Sequence, residues 1–321
     1  MSLRTTCGLL FVTLLGLGSG CTLPTGPKNP VTLTTTNYSG WPGSYVLRNA
    51  YVEVIVVPSI GRVMRFAYLG EESVFWENPM LLGKPTLALP WATPGSFGGD
   101  KTWPAPQSNW DWPPPPAFDS LPCDAHIEGR SIVLTTPLDP RFGIRAIRRV
   151  MLDPFEPVLR ITTTYEKLEG PPVDLSVWVI SQFRDPVGVY FRIPKDTRFP
   201  SGYNTQWGIP TNQVSTTGSL LRMVRSRTSS HKIGSDANTL LWVGRDHMCL
   251  VETDRPQGYP YPDNHSSVEV YTNPDPAGYV ELETLGPLQS LKAGDRISAS
   301  NRYTLKRRRR EDPNADAQPL L

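Results

Sequence analysis

Proline is the feature that most restricts how this chain can fold. It accounts for 34 of the 321 residues, about one in nine, where roughly one in twenty is usual. Because proline interrupts helices and interior sheet ladders, this content favours many short strands over a helical bundle. Runs rich in β-branched residues, such as Tyr51–Val57 and Val158–Leu168, recur along the chain between Gly, Pro, Asn and Asp. The pattern predicts a single, all-β, largely antiparallel domain over residues 31–306.

The charge balance excludes one class of partner. The 32 basic and 30 acidic side chains leave a formal charge of +2, so no strongly basic field exists to recruit a nucleic acid. The basic residues that do cluster lie at the end of the chain, where five in a row begin at Lys306. A run of like charges followed by polar residues is typical of a solvated end. We therefore expect residues 307–321 to form a basic, polar, disordered tail.

The N-terminus has the pattern of an export signal. Arg4 precedes an apolar run from Cys7 to Leu17, which is too short to span a bilayer, and small residues lead to Cys21. This arrangement resembles the lipobox of bacterial lipoproteins, whose cysteine carries the lipid. It implies a signal peptide over residues 1–21, lipidation at Cys21, a tether over residues 22–30 and a membrane-anchored protein facing the periplasm or the cell exterior. Ordinary cleavage near Gly20 and release of a free protein is the alternative.

Cysteine and histidine provide no metal motif. Beyond the signal only Cys123 and Cys249 remain, and the sequence leaves a disulfide and two separate thiols both open. The four histidines are scattered without the spacing of metal ligands. We therefore predict no metal and no cofactor.

Two segments interrupt the succession of strands. Residues 84–122 are rich in proline and glycine and contain Trp91, Trp103, Trp110 and Trp112. Loops of this length within a compact domain are usually functional or disordered, and the tryptophans argue against disorder. The alternative is that these aromatic residues pin the loop to the domain, with Trp112 as a packing residue. Residues 194–218 form a second polar segment.

Four segments, in order along the chain, carry a family resemblance. Residues 49–79 (NAYVEVIVVPSIGRVMRFAYLGEESVFWENP) contain a strand pair joined by a P-x-x-G turn, and residues 278–305 (GYVELETLGPLQSLKAGDRISASNRYTL) contain a Glu-Thr pair before an A-G-D turn. Together with FGGDKTWPAPQSNWDWPPP and YPDNHSSVEVYTN, they resemble the galactose mutarotase-like superfamily, which includes the aldose 1-epimerases. The branch they resemble is one of uncharacterised, exported bacterial proteins. The resemblance implies a β-supersandwich with a carbohydrate cleft on one concave sheet face.

The resemblance also implies a catalytic base. In the family, the glutamate of the Glu-Thr pair takes the proton of the anomeric hydroxyl, and Glu283 occupies that position here. The family's acid is a histidine on a central strand, but the corresponding segment, Trp178–Gln182, contains none. His231 or His265 is the possible substitute. An epimerase of the standard form is therefore in question, and the residues leave binding and catalysis both open.

The remaining candidates would bind the sugar. Glu281 lies two residues from Glu283 on a predicted strand, so both carboxylates point to one face of the sheet, which suits a polar cleft. Indoles stack on the C–H faces of sugars, while charged and amide groups bridge hydroxyls. The predicted sugar-binding residues are Arg62, Asp100, Lys101, Trp103, Gln107, Gln182, Lys232 and Glu281. For each, a surface or packing role is the alternative.

We therefore predict an exported, lipid-anchored protein that binds a carbohydrate. An aldose epimerase-like enzyme with Glu283 as general base is one alternative, and a structural envelope lipoprotein without a small ligand is another. No feature of the sequence specifies the sugar or the oligomeric state.

Overall fold

The computed structural model describes residues 31–85 and 96–321. Its strands are β1 (Thr32–Tyr38), β2 (Trp41–Arg48), β3 (Val52–Val57), β4 (Arg62–Tyr68), β5 (Asp100–Ala105), β6 (Asp124–Glu128), β7 (Ser131–Thr135), β8 (Ile144–Leu152), β9 (Val158–Lys167), β10 (Val173–Arg184), β11 (Gly188–Arg192), β12 (Asn204–Trp207), β13 (Val214–Thr217), β14 (Leu220–Met223), β15 (His231–Ser235), β16 (Thr239–Val243), β17 (His247–Thr253), β18 (Val268–Thr272), β19 (Tyr279–Leu285), β20 (Gln289–Leu291) and β21 (Arg296–Arg307). The helical segments are short: α1 (Pro116–Asp119), α2 (Pro262–His265), α3 (Pro313–Ala317) and the 3-10 turns Pro58–Ile60 and Gln107–Asn109. The all-β, antiparallel prediction is confirmed.

The strands form two large antiparallel sheets. The first has the order β1-β2-β3-β4-β5-β10-β19-β18-β15-β12, with β20 paired to β10. The second has the order β13-β14-β11-β16-β17-β21-β9-β8-β7-β6. Apolar side chains from both sheets meet in a core that includes Phe66, Phe183, Trp242 and Tyr303. Burial of such large side chains between two sheets is the main stabilising contribution in a sandwich of this kind.

The central strands of the first sheet position the candidate residues. Lys101 on β5 is paired with Ile180 on β10, which is paired with Glu283 on β19, and Glu283 is paired with Glu269 on β18. Directly paired residues point to the same face of a sheet. The charged members of this row therefore lie on one face, the face turned away from the second sheet.

The end of the chain differs from the expectation of a disordered tail. Residues Pro313–Ala317 form α3, Ala317 is fully buried, and Leu320 and Leu321 pack against the outer face of the second sheet. Asp316 accepts a hydrogen bond from Arg308 at 3.1 Å. These apolar and ionic contacts fix the C-terminal segment on the second sheet, although its composition alone predicts a solvated, disordered tail.

Other expectations on the chain's ends and thiols have different outcomes. The signal peptide, Cys21 and the tether lie outside the described residues, as does Trp91. Cys123 and Cys249 are separate free thiols. No helix in residues 31–85 and 96–321 is long and apolar enough to cross a bilayer.

Candidate functional site

A cavity of about 540 Å³ opens on the outer face of the first sheet. Four of the tryptophans in the described part of the chain line it, together with polar and charged side chains from β5, β10, β15, β18 and β19. The lining residues are Ser96, Lys101, Trp103, Gln107, Trp112, Trp178, Gln182, Trp207, Ser230, Lys232, Tyr271, Tyr279, Glu281 and Glu283. An aromatic wall with a few convergent polar groups is typical of a small-ligand site.

Lys232 lines the cavity and pairs with two carboxylates, Glu283 in the lining and Glu269 buried behind it. Its Nζ lies 2.9 Å from Oε2 of Glu283 and 2.6 Å from Oε2 of Glu269. All three side chains are at most 14% exposed. Burial by itself lowers the pKa of Lys232, but the two carboxylates outweigh it and raise that pKa above its usual value. Lys232 is therefore a fixed cation.

The two carboxylate oxygens of Glu283 have different surroundings. Its Oε2 accepts hydrogen bonds from Nε1 of Trp178 at 2.6 Å and from Nζ of Lys232 at 2.9 Å. The Lys232 ammonium also lies 4.5 Å from the centre of the Trp178 ring, in cation–π geometry. Within the described part of the chain, no hydrogen bond to Oε1 of Glu283 is observed, so this oxygen is available to a ligand hydroxyl.

Glu281 lies opposite Gln182, its partner on β10. The amide nitrogen of Gln182 donates to Oε1 of Glu281 at 2.8 Å. Burial, and then the nearby charge of Glu283, raise the pKa of Glu281 to about 7. Burial likewise raises the pKa of Glu269 to about 8, although Lys232 opposes the shift. The pKa values of Glu281, which lines the cavity, and of Glu269, which is buried behind it, are therefore both raised toward neutral.

Asp119 organises the opposite wall. Its Oδ1 accepts hydrogen bonds from Lys101 at 3.0 Å, from Trp103 at 3.0 Å and from Arg62 at 3.2 Å. Burial alone would raise the pKa of Asp119, but the Lys101 ammonium and the Arg62 guanidinium hold it below its usual range. The Lys101 ammonium lies 3.6 Å from the centre of the Trp103 ring. This network fixes both an indole and a cation at the cavity wall.

Solved structures with similar folds include a galactose mutarotase-like protein from Lactobacillus casei ATCC 334, at 8% identity and a TM-score of 0.56, covering 82% of this chain and 100% of that chain. A galactose mutarotase-like protein from Clostridium acetobutylicum matches at 10% identity and a TM-score of 0.52, covering 88% and 100%. A galactose mutarotase related enzyme from Lactobacillus acidophilus matches at 11% identity and a TM-score of 0.51, covering 82% and 97%. No family model and no curated protein matches the sequence.

The chain has the galactose mutarotase-like fold. This agrees with the superfamily resemblance found in the sequence. At these identities the likeness concerns the fold, and the chemistry has to be argued from the residues.

Within the galactose mutarotase-like fold, seven of the nine candidate ligand and catalytic residues come together in the cavity. They are Lys101, Trp103, Gln107, Gln182, Lys232, Glu281 and Glu283. The expected shared face of Glu281 and Glu283 is confirmed, because both line the same cavity.

Arg62 and Asp100 need correction, since neither lines the cavity. Arg62 is fully buried behind the wall, where it donates to the backbone carbonyls of Gly98 and Asp119 as well as to the Asp119 carboxylate. It supports the wall and does not contact the cavity.

Asp100 precedes Lys101 on β5, so its side chain points to the opposite face of the sheet. There it accepts hydrogen bonds from Ser181 and Tyr303, each at 2.6 Å, and pairs with Arg148 of the second sheet. Asp100 therefore joins the two sheets.

The substitute histidines also lie elsewhere. His231 alternates with Lys232 on β15 and bonds to Ser229 at 3.0 Å, and His265 ends α2. Neither is among the described residues that line the cavity. In residues 31–85 and 96–321, no cluster of three His, Cys, Asp or Glu side chains is arranged to hold a metal.

Several lining residues were not predicted as ligands. Trp112, for which packing is the alternative to a ligand contact, is 55% exposed at the cavity, and Trp207, in the second polar segment, is 64% exposed there. Tyr271 was missed although it lies two residues from Glu269 on β18, a spacing that puts both on one face. The role of Asp119 could not be predicted from neighbouring residues, because its three hydrogen-bond partners at the cavity wall are 16 to 57 positions away in the sequence.

Proposed function

We propose that this protein binds a neutral carbohydrate in the cavity between the β19 carboxylates and the tryptophans of residues 96–122. The observation that carries the proposal is that Trp103, Gln182 and Glu283, which are far apart in the sequence, line one cavity of about 540 Å³. Indole faces suit the C–H faces of a sugar, and the carboxylate and amide suit its hydroxyls.

The charges favour a neutral ligand. Lys101 is paired with Asp119, and Lys232 is paired with both Glu269 and Glu283. Because each lining cation already has a buried counter-ion, neither offers an uncompensated charge to an anionic ligand.

A glycan array probed with the purified full chain tests this proposal. The proposal requires binding to at least one neutral glycan, lost in Glu283→Gln and kept in Glu252→Gln. The control glutamate lies on β17 of the second sheet and pairs with Arg302. Equal binding by both variants would show that the cavity is not the sugar site.

An aldose epimerase-like activity is the second candidate function. Glu283 has an ionisable partner, since Lys232 lies 2.9 Å away, and the raised pKa of Glu281 lets that carboxyl exchange a proton near neutral pH. In this hypothesis Glu283 takes the anomeric proton through Oε1, and Glu281 supplies a proton to the ring oxygen. Polarimetry of freshly dissolved α-galactose and α-glucose tests this hypothesis. A mutarotation rate above the spontaneous one, lost in Glu283→Gln, supports catalysis. A rate equal to the spontaneous one would mean that the protein binds sugar without catalysing mutarotation.

We also propose that the chain is exported and lipid-anchored through Cys21. The apolar run that precedes Cys21 and the small residues next to it support this. Mass spectrometry of the mature N-terminus is the test. A diacylated Cys21 at the mature N-terminus is expected. An unmodified N-terminus near Gly20 would instead show ordinary signal cleavage and secretion of a free protein.

A further inference from the structure

Two tryptophans stand exposed at opposite sides of the cavity. Trp112 is 55% exposed and Trp207 is 64% exposed, and both line the cavity. An open indole face that borders a polar cavity is well placed to stack on a ligand that also contacts the polar groups.

The strand order places β12, which carries Trp207, at the opposite end of the cavity-lining strands from β5, next to which Trp112 packs. The Trp112 ring lies edge-on to Trp103 of β5, with ring centres 6.3 Å apart. Trp207 lies on β12, and five inter-strand steps separate β12 from β5 in the order β5-β10-β19-β18-β15-β12. At roughly 4.8 Å a step, the backbones of β5 and β12 are separated by about 24 Å along the sheet.

Both indoles are held in place by neighbours. Trp112 rests against Trp103, and Nε1 of Trp207 donates to Ser230 at 3.1 Å. The pairing of β12 with β15 shifts between Thr205 and Trp207, which sets Trp207 opposite Lys232. A bulge of this kind re-aims a side chain, and here it brings an indole to the cavity edge. Ordered aromatic surfaces lose little entropy when a ligand stacks on them.

The charged and amide groups lie between the two indoles. Gln182 belongs to β10, the neighbour of β5, and Glu281 and Glu283 belong to β19, the strand after it. Lys232 belongs to β15, the neighbour of β12. A ligand that contacts both indoles therefore passes over these polar groups. Because β5 and β12 are about 24 Å apart along the sheet, a single hexose at Glu283 spans only part of the distance between these strands.

We propose that the ligand is a glycan chain of several sugar residues that crosses the cavity, with Trp112 and Trp207 as outer stacking surfaces on either side of a central sugar at Glu283. This inference rests on the proposed carbohydrate function and specifies its ligand class. The central groups bind one sugar unit, and each outer indole adds a contact only when the chain reaches it.

Isothermal titration of the full chain with chito-, cello-, malto- and galacto-oligosaccharides of one to six residues tests the proposal. In at least one series, affinity is expected to rise by about tenfold for each indole that the chain covers, the gain typical of burying part of a large side chain. Trp112→Ala and Trp207→Ala should each remove about one such step from the affinity for the longer chains and lower the affinity for the monosaccharide by less. Phe155→Ala is the matched control, because Phe155 is an exposed aromatic residue, at 68%, outside the cavity.

Each outcome has a separate meaning. If the monosaccharide binds as well as every longer chain, the extended ligand is refuted and the proposed function stands. If either tryptophan variant weakens monosaccharide binding as much as oligosaccharide binding, that indole belongs to a single-sugar site and the inference is wrong. If no sugar of any length binds, the proposed function and this inference both fail.

Discussion

The Nζ of Lys232 lies 2.9 Å from Oε2 of Glu283, although the two residues are 51 positions apart in the sequence. The contact joins β15 to β19 across β18, whose Glu269 binds the same ammonium. A single cation therefore compensates two buried carboxylates.

Lys232→Met should destabilise the fold, because it leaves Glu269 and Glu283 buried without their cation. Breaking a buried ion pair from one side costs about 3–5 kcal/mol. Urea unfolding at pH 8 measures the effect. The double variant Lys232→Met/Glu283→Gln should recover part of the loss, since the carboxylate of Glu283 is then replaced by a neutral amide. Lys306→Met, on β21, is the control; if it lowered the free energy of unfolding equally, the cluster would have no special role.

The stability should fall as pH rises from about 5 to about 8. The pKa of Glu281 is raised to about 7 and that of Glu269 to about 8 from an ordinary value of 4.5, so the folded state holds protons that the unfolded state has released in this window. The free energy of unfolding then decreases with pH, by at most about 1.4 kcal/mol per pH unit for each group.

Denaturant unfolding at pH 5, 6, 7 and 8 measures this slope. Glu281→Gln should flatten it between pH 5 and 7, and Glu269→Gln should flatten it up to pH 8. Glu156→Gln, at an exposed glutamate, should leave the slope as in the wild type. A wild-type profile that rises through the window would contradict the assigned directions.

Asp119→Asn should disturb a wall of the cavity and the fold together. The substitution removes the negative charge that faces Lys101 and Arg62, both of which are almost fully buried. A loss of about 3–5 kcal/mol is expected, together with weaker sugar binding, because Trp103 loses the charged acceptor of its Nε1–H. Asp124→Asn, five residues away and exposed, is the comparison, and equal melting temperatures for the two variants would be the contrary result.

The affinity for sugar should depend on the charge of Glu283. A hydrogen bond to a charged group contributes about 1.5–3 kcal/mol, so Glu283→Gln is expected to weaken binding by about ten- to a hundredfold while changing the volume of the side chain little. Calorimetric titration with the glycan selected on the array gives the dissociation constant. An unaltered constant would remove Glu283 from the ligand contacts.

Local alternation in the sequence predicted much of the cavity. The spacing of Glu281 and Glu283 places both on one sheet face whatever the neighbouring strands are, so their shared orientation followed directly. The same rule separates Asp100 from Lys101, because consecutive residues on a strand point to opposite faces of the sheet. Only one of the two can therefore face the cavity. The strand itself was hidden, because residues 100–105 contain Pro104 within a segment that has the composition of a loop.

The proline is tolerated because, among the strands of residues 31–85 and 96–321, β5 pairs along its length only with β10. It meets β4 at a single pair, Val63 with Asp100, so most of its other edge is free of a ladder. Contacts such as the three donors on Asp119 depend on how distant segments pack. Neither composition nor periodicity carries that information.

A crystal structure of the protein with the glycan selected on the array tests the central claim most directly. The account predicts a sugar ring in the cavity, with a hydroxyl within hydrogen-bond distance of Oε1 of Glu283 and an indole face against its C–H groups. A glycan bound at any other surface, with the cavity filled only by solvent, would contradict it.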